Sequence, residues 1–145
     1  MDKIILIGSG GHARSCIDVI ELTGKYEIVG LVDKEHTENN SILGYPVIGT
    51  DEDLPILRKK YKYAIITVGQ IKSPVIRENL FKKLIELNYK LPIIISPNSY
   101  ISKHSKIGKG TVIFNDVIIN ANVSIGENCI INNKALVEHD SIIGN

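Results

Sequence analysis

The last third of the chain repeats with a period of six residues. Aliphatic side chains stand at every sixth position without exception, at Ile101, Ile107, Ile113, Ile119, Ile125, Ile131, Val137 and Ile143. An α-helix repeats about every 3.6 residues and a strand every two, so neither element by itself keeps this spacing. A hexapeptide period is typical of a parallel β-helix, in which three six-residue faces make one coil and each aliphatic side chain points into a triangular core.

A second position of each repeat supports the β-helix. The fourth residue after each of the first seven aliphatics is small or β-branched: Ser105, Thr111, Val117, Val123, Cys129, Ala135 and Ser141. Equivalent residues of successive coils would then stack about 4.8 Å apart. We expect Gly108, Gly126, Gly144 and several Asn residues at the tight corners, in left-handed backbone conformations.

The repeat continues to the last residue of the sequence. Forty-five residues run from Ile101 to Asn145, which corresponds to two and a half coils of eighteen residues. The end of a solenoid usually carries a polar cap, whereas this sequence stops at Ile143-Gly144-Asn145. The sequence therefore predicts the incomplete start of a β-helix over residues 97–145.

The first ninety-five residues alternate between strand and helix signals. Apolar runs typical of buried strands lie at residues 4–7, 28–32, 46–48, 63–68 and 91–95. Helical spacing and caps predict helices over residues 13–23, 51–60 and 74–87. Strands separated by such helices indicate a parallel sheet covered on both faces. The predicted fold class is α/β, with a small Rossmann-like parallel-sheet domain over residues 1–96 followed by the β-helix.

A glycine-rich loop joins the first strand to the first helix. Gly8-Ser9-Gly10-Gly11-His12-Ala13 fits the pattern G-x-G-x-x-A, and Asp33 follows twenty residues later at the end of the second strand. Such glycines let a diphosphate approach a helix N-terminus, while the acid accepts a hydrogen bond from a ribose hydroxyl. Three interpretations stay open: a nucleotide-diphosphate site, an NAD(P) site, or a purely structural use of the glycines. His12 would contact the ligand, or else cap the helix or lie in solvent.

Charge and composition argue against several classes of function. Seventeen Lys and Arg against sixteen Asp and Glu give a formal net charge of +1, which argues against nucleic acid or anionic lipid as a partner. The longest apolar stretches are far too short to span a bilayer, and we expect neither a signal peptide nor a membrane segment. Cys16 and Cys129 lie far apart in the sequence, so we expect two reduced thiols in a cytoplasmic protein and no metal site.

Three motifs, in their order along the chain, carry a resemblance to a known family. They are Gly8-Ser9-Gly10-Gly11-His12 near the start, Thr67-Val68-Gly69 after the middle strand, and Val137-Glu138-His139-Asp140 late in the hexapeptides. The whole chain resembles the bacterial sugar acyltransferases, which join an N-terminal Rossmann-like nucleotide-sugar domain to a left-handed β-helix. That family includes sialic acid O-acetyltransferases and N-acetyltransferases of nucleotide-linked 4-amino sugars.

The resemblance implies a nucleotide-sugar site in the first domain. Gly10, Gly11 and His12 would contact the diphosphate, Asp33 would contact the nucleoside, and Gly69 would line the same site. Many relatives carry a second acid after the one that matches Asp33, where this chain has Lys34, and we expect Lys34 at the substrate site as well.

In the β-helix, the resemblance implies that His139 is the general base and that Asp140 raises its basicity. Histidine titrates near neutral pH, as the removal of a proton from an attacking amine or hydroxyl requires. An adjacent carboxylate can also fix the imidazole tautomer. Acetyl-CoA would be the acetyl donor, with most of its contacts in later coils that this sequence does not contain, and the protein would be a homotrimer. We expect His36 and His104 to be exposed to solvent.

Together these features predict an acetyl-CoA-dependent acetyltransferase of surface glycan biosynthesis, acting on a nucleotide-linked amino sugar or a sialic acid. Two alternatives remain at this stage. One is a truncated, non-catalytic nucleotide-sugar-binding module, and the other is an NAD-dependent oxidoreductase.

Overall fold

A computed structural model describes residues 1–34, 41–70 and 73–145, and His36 lies outside these ranges. The chain divides into two compact units, Met1–Leu91 and Pro92–Asn145. The predicted fold class is confirmed, because a Rossmann-like sheet is followed by parallel strands stacked as in a left-handed β-helix. None of the helices in the described part of the chain combines the length and the apolar composition that a bilayer-spanning segment needs.

The first unit is built on a five-stranded sheet. Its strands are β1 (Asp2–Ile7), β2 (Tyr26–Asp33), β3 (Ser41–Ile42), β4 (Tyr45–Thr50) and β5 (Tyr63–Ile66). Their order in the sheet is β3-β4-β2-β1-β5, and all pairs are parallel except β3 with β4. The chain moves outward from β1 through β2 to β4 and then crosses back to form β5 on the other side of β1. The strand order therefore reverses beside β1.

Three helices accompany this sheet. Helix α1 (Gly11–Thr23) buries an apolar face and ends at Thr23, as predicted, where Gly24 follows with a left-handed φ of 64°. The helix predicted over 51–60 is shorter than expected, because a 3-10 turn (Asp51–Asp53) precedes α2 (Leu54–Leu57) and Pro55 stands in the first turn of α2. Since proline has no backbone N–H, it fits a helix start and not a helix interior.

Helix α3 (Val75–Glu86) buries Leu80 and Leu84, in agreement with the helical spacing of its apolar residues. The third buried residue is Arg77, whereas Ile76, one position before it, is 46% exposed. These three positions are separated by three and four residues and therefore share one face of the helix. Leu80 and Leu84 belong to a core that also includes Ile5 and Ile66 of the sheet.

The second unit consists of two-residue strands on three faces. They are β6 (Ile94–Ile95), β7 (Tyr100–Ile101), β8 (Lys106–Ile107), β9 (Val112–Ile113), β10 (Ile118–Ile119), β11 (Ser124–Ile125), β12 (Ile130–Ile131), β13 (Leu136–Val137) and β14 (Ile142–Ile143). Each strand pairs in parallel with the strand one coil away, giving sheets β13-β10-β7, β14-β11-β8 and β12-β9-β6. The predicted hexapeptide aliphatics form the core, with the small residues between them.

The β-helix begins earlier than the sequence analysis placed it. Ile94–Ile95 pairs in parallel with Val112–Ile113, so the prediction that residues 91–95 form the last strand of the first sheet is wrong. Ile95 precedes Ile101 by six residues and is the first member of the repeat. A short apolar run does not by itself distinguish a buried sheet strand from one face of a coil.

The corners of the β-helix contain residues with a left-handed backbone and glycines that are required by the close approach of the next coil. Left-handed φ values between 56° and 76° occur at Gly110, Asp116, Asn122, Asn128, Lys134 and Asp140. The expectation that Gly108, Gly126 and Gly144 are left-handed is wrong. Gly108 is required by close approach instead, because a Cβ atom there would lie 2.5 Å from the carbonyl carbon of Gly126 in the next coil.

Candidate functional site

A pocket opens at the carboxyl ends of the strands in the first unit. It is shallow, with a cavity volume of about 40 Å³, and its lining includes Gly8 after β1, Asp33 at the end of β2, Lys34 after β2, Asp51 after β4 and Val68 after β5. In open α/β sheets, ligands bind at this edge, where the strand order reverses. The pocket therefore has the position expected of a ligand site, and it brings together two of the predicted residues, Asp33 and Lys34.

Asp33 ties the glycine loop to the end of β2. Its carboxylate accepts a hydrogen bond from the hydroxyl of Ser9 and another, of 2.7 Å, from the backbone N–H of Lys34. Because the two contacts engage both oxygens, the carboxylate is held in one orientation at the rim of the pocket. The side chain of Lys34 is exposed beside it.

Gly8 has a structural role in the loop. Its φ is +123°, and a Cβ atom there would lie 2.6 Å from Cγ2 of Val68 and 2.9 Å from the backbone nitrogen of Val68. The hydroxyl of Thr67 donates a hydrogen bond of 2.6 Å to the carbonyl of Gly8. The loop after β1 is thus packed tightly against the chain that follows β5.

Gly10 and Gly11 differ from Gly8 because packing does not require them to be glycine. Among the described residues, and apart from its own neighbours in the chain, no atom lies within 4 Å of the position that a Cβ would take at either glycine. Gly10 precedes α1, where no side chain caps the helix and no acidic residue stands in its first turn. Unpaired N–H groups at such a helix start favour an anion. The open space at these two glycines is therefore suited to a diphosphate.

His12 lies in the first turn of α1, half-buried against Gly69. A Cβ atom at Gly69 would lie 3.3 Å from Cβ of His12, so the two predicted residues are neighbours. Burial, and after it the positive charge of Arg77, lower the pKa of His12. The imidazole is therefore neutral at pH 7. Gly10, Gly11, His12 and Gly69 are not among the residues that line the pocket beside Asp33.

Arg77 and Asp51 are the residues of this region that the sequence analysis missed. Arg77 is only 2% exposed, and its Nη1 donates a hydrogen bond of 2.6 Å to the carbonyl of Val68. Its spacing from Leu80 and Leu84 on α3 is the signal that could have identified it as buried. Asp51 follows β4 directly, and burial raises the pKa of its carboxyl while the charge of Lys83 opposes that shift. Its position at the end of a parallel strand is the signal that could have found it.

The two cysteines are buried, and neither forms a disulfide within the described residues. Burial raises the pKa of the Cys16 thiol to about 12, which keeps that thiol protonated and a poor nucleophile. Among the described residues, no group of three or more His, Cys, Asp or Glu side chains could hold a metal ion. His104 is exposed on the second unit, as expected.

The second unit carries the predicted acid and base as a direct pair. Nδ1 of His139 lies 2.8 Å from Oδ2 of Asp140, and their side chains are 74% and 64% exposed. The hydrogen bond to Asp140, and then its charge, raise the pKa of His139. Because Asp140 engages Nδ1, the other ring nitrogen, Nε2, is left to face a reacting group.

A third side chain completes this cluster. Nδ2 of Asn122 donates a hydrogen bond of 2.6 Å to Oδ1 of Asp140. Hydrogen bonds from His139 and Asn122 lower the pKa of Asp140. Sequence analysis missed Asn122, although its separation from Asp140 by one coil of eighteen residues was a usable signal.

Two family models match the chain. The PglD N-terminal domain matches residues 3–84, and the bacterial transferase hexapeptide (six repeats) matches residues 104–139. No curated protein matches the sequence.

Solved structures of acetyltransferases resemble the chain over nearly its whole length. A mutant of perosamine N-acetyltransferase from Caulobacter crescentus, in complex with CoA and GDP-perosamine, is 30% identical with a TM-score of 0.91, and the match covers 99% of this chain and 66% of that one. The acetyltransferase domain of PglB from Neisseria gonorrhoeae in complex with acetyl coenzyme A is 29% identical with a TM-score of 0.88, and the match covers 98% of this chain and 67% of that one.

WeeI from Acinetobacter baumannii shares the fold at 21% identity and a TM-score of 0.80, with coverage of 100% of this chain and 68% of that one. The chain thus spans about two thirds of the length of these structures. The PglD N-terminal domain model alone covers more than half of the chain. The chain therefore belongs to the sugar acyltransferase family in which a PglD N-terminal domain is followed by bacterial transferase hexapeptide repeats.

Proposed function

We propose that this chain transfers an acetyl group from acetyl-CoA to the amino group of a nucleotide-linked sugar. The observation that carries this proposal is the pair formed by His139 and Asp140 on a hexapeptide coil, with Nδ1 and Oδ2 2.8 Å apart. Such a pair provides a general base for acyl transfer. The complexes of perosamine N-acetyltransferase with CoA and GDP-perosamine support both substrate classes.

We assign the sugar nucleotide to the first unit, Met1–Leu91, which makes up most of the predicted domain of residues 1–96. The open backbone at Gly10 and Gly11 would receive the diphosphate, with His12 beside it as a neutral hydrogen-bonding group. Asp33 and Lys34 line the adjoining pocket and would contact the nucleoside. Gly69 would border the same site through its contact with His12.

We assign the chemistry to the β-helix of the second unit, Pro92–Asn145, which contains the whole predicted domain of residues 97–145. As the sugar amine attacks the thioester carbonyl, Nε2 of His139 would accept the proton that the amine loses. A C–N bond forms, the C–S bond breaks, and the departing CoA thiolate takes up a proton from the imidazolium. Asp140 would stabilise the imidazolium while it carries that proton, which the raised pKa of His139 supports.

Acetyl transfer tests this assignment directly. The release of the CoA thiol is measured with acetyl-CoA and GDP- or UDP-linked 4-amino sugars, for the unaltered chain, His139→Ala and His104→Ala. We expect His139→Ala to abolish release while calorimetry still detects binding of the sugar nucleotide. His104→Ala, an exposed histidine of the same unit, should retain activity. Unchanged turnover in His139→Ala would refute the assignment of the base.

The same measurements separate the alternatives. A non-catalytic binding module would bind the sugar nucleotide but release no thiol. An oxidoreductase would bind NADH and change its fluorescence. A sialic acid O-acetyltransferase would release thiol with sialic acid and not with the amino sugars.

We further propose that the reaction belongs to surface glycan biosynthesis in the cytoplasm, where the thiols of Cys16 and Cys129 would remain reduced.

We also propose a homotrimer that associates through one flat face of the β-helix. Tyr100, Ile118 and Leu136 stack outward on the sheet β13-β10-β7 and are 60%, 45% and 56% exposed. An exposed apolar column of this kind supports association with further copies. Sedimentation equilibrium should show a trimer for the unaltered chain and for Ser124→Glu on another face, and a monomer for Leu136→Glu. A monomeric unaltered chain would exclude the trimer.

A further inference from the structure

Asn122 and Asp140 occupy the same corner of successive coils. Both have left-handed backbones, with φ values of 61° and 64°. The backbone N–H of Asp140 donates to the carbonyl of Ala121, and that of Asn122 donates to the carbonyl of His104, each at 3.1 Å. This ladder fixes the two corners in register, so that the side chains of Asn122 and Asp140 lie next to each other.

Both oxygens of the Asp140 carboxylate have a hydrogen-bonding partner. Oδ2 lies 2.8 Å from Nδ1 of His139, and Oδ1 accepts a hydrogen bond of 2.6 Å from Nδ2 of Asn122. The χ2 torsion of an aspartate is soft, so a single hydrogen bond at an exposed position would leave the carboxylate free to turn. The second bond, from the neighbouring coil, prevents that rotation.

Backbone conformation alone does not account for asparagine at this corner. The equivalent left-handed corners of the β-helix carry Gly110, Asp116 and Lys134 as well as asparagine. What distinguishes position 122 is the donor that its amide presents to Asp140. Neither glycine nor a carboxylate could supply that donor.

We propose that Asn122 is a positioning residue, which holds the Asp140 carboxylate so that the proton of neutral His139 stays on Nδ1 and Nε2 keeps its lone pair. The catalytic consequence rests on the proposed function, whereas the position of the proton does not. An imidazole without such a partner prefers the tautomer protonated at Nε2, and that tautomer cannot accept a proton at Nε2. Glu138 and Asp140 are the charged groups that act on His139, and Asn122 is neutral.

The proton position can be observed without catalysis, by ¹⁵N NMR of the histidine ring at a pH where His139 is neutral. Three variants of this chain decide the question. Asn122→Gly removes the amide and keeps a left-handed φ accessible, as Gly110 shows at an equivalent corner. Asn122→Asp replaces the donor by a carboxylate. Asp116→Gly is the matched control, since Asp116 has the same corner conformation and is not a partner of His139 or Asp140.

In the unaltered chain and in Asp116→Gly, we expect Nδ1 of neutral His139 to carry the proton. In Asn122→Gly the proton should move to Nε2, and the pKa of His139 should fall toward its ordinary value. A wild-type proton position in Asn122→Gly overturns the proposal. If Asn122→Gly does not fold, the same result in Asn122→Asp overturns it.

Kinetics then test the catalytic consequence separately. Asn122→Gly should lower kcat for acetyl transfer roughly tenfold, a part of what a general base contributes, with KM for the sugar nucleotide unchanged. A change in KM with unaltered kcat overturns this consequence. If the chain has no acetyl transfer activity, the proposed function fails while the NMR result still decides the role of Asn122.

Discussion

The guanidinium of Arg77 donates a hydrogen bond of 2.6 Å to the carbonyl of Val68, and this buried cation lowers the pKa of His12. Burial is the larger cause of that shift and the charge of Arg77 is the second. A neutral His12 can both donate and accept a hydrogen bond beside the open backbone of Gly10 and Gly11. The cation in α3 thus influences the protonation of a residue in α1.

Replacing Arg77 by Met should raise the pKa of His12, because the repulsion between the two positive charges disappears. The pKa should remain below its ordinary value, because the burial persists. Arg77→Lys should keep the pKa low, since it retains the charge. Histidine NMR titration measures each value, and Arg58→Met serves as a control at a half-exposed arginine of the same unit. A pKa of His12 that is equal in Arg77→Met and the unaltered chain would contradict this coupling.

The stability of the chain should depend on the protonation of His12. In the folded chain its pKa lies below 6.5, whereas in the unfolded chain it is close to 6.5. As the pH falls below about 6.5, the unfolded chain binds a proton that the folded chain does not, so folding loses stability until the folded pKa is passed. Above about pH 7.5 both states are neutral, and this contribution disappears.

Urea unfolding between pH 5 and pH 8 measures this effect as the difference between the unaltered chain and His12→Asn. The difference isolates His12 from the exposed pair of His139 and Asp140, whose His139, with a raised pKa, titrates in the opposite sense. We expect the unaltered chain to lose more stability toward low pH than the variant does. If the stability of the two proteins depends on pH in the same way, the pKa of His12 is equal in the folded and the unfolded chain.

Two glycines of the same loop should respond differently to alanine. Gly8→Ala would place a Cβ against the backbone of Val68 at a φ of +123° and should cost about 3 kcal/mol of stability. The methyl group of Gly10→Ala meets no non-neighbouring atom of the described ranges within 4 Å, so the variant should fold normally, but the methyl would occupy the space assigned to the diphosphate. Calorimetry with a nucleotide sugar should therefore show at least tenfold weaker binding for Gly10→Ala, a loss of about 1.4 kcal/mol. Undiminished binding would show that the diphosphate does not bind beside Gly10.

The β-helix could be predicted from the sequence because its core residues recur every six positions. Each aliphatic from Ile101 to Ile143 faces the same interior, so the spacing along the sequence is enough to identify the core. The start of the β-helix could not be found as readily, since Ile94 and Ile95 also read as an ordinary buried strand. Their parallel partners, Val112 and Ile113, are eighteen residues away.

The acid and base were accessible to sequence analysis because they are adjacent in the chain, whereas the residues that support the two sites were not. Asn122 meets Asp140 across one coil, and Arg77 reaches His12 electrostatically across sixty-five positions of sequence. Such contacts depend on how elements pack. The role of Gly108 was misjudged for the same reason, because the atoms that exclude a Cβ there belong to the next coil.

The spacing between coils should make Gly108 far less tolerant than Gly144. An alanine methyl at position 108 would lie 2.5 Å from the carbonyl carbon of Gly126, a backbone atom that cannot move aside, and should cost about 3 kcal/mol. At Gly144 no atom of the described residues, other than its own neighbours in the chain, lies within 4 Å of the added methyl. Thermal unfolding should therefore show a lower Tm for Gly108→Ala and an unchanged one for Gly144→Ala. Equal Tm values would show that the coils can separate at little cost.

Asp140→Asn should lower both the pKa of His139 and the maximal rate of acetyl transfer. Asparagine tolerates the left-handed φ of 64° at this corner, so the fold should persist, and Asp116→Asn provides the control at an equivalent corner. The loss of the carboxylate removes both causes that raise the pKa of His139 through Asp140, so that pKa should fall.

The rate of acetyl transfer rises with pH as the base loses its proton. The rising limb of the pH profile should therefore move to lower pH in Asp140→Asn. The plateau of kcat should also drop, by about a hundredfold, because the imidazolium loses its stabilising charge. Histidine NMR of the same protein follows the pKa independently of turnover. If that pKa falls while the rising limb stays where it is, another group than His139 removes the proton.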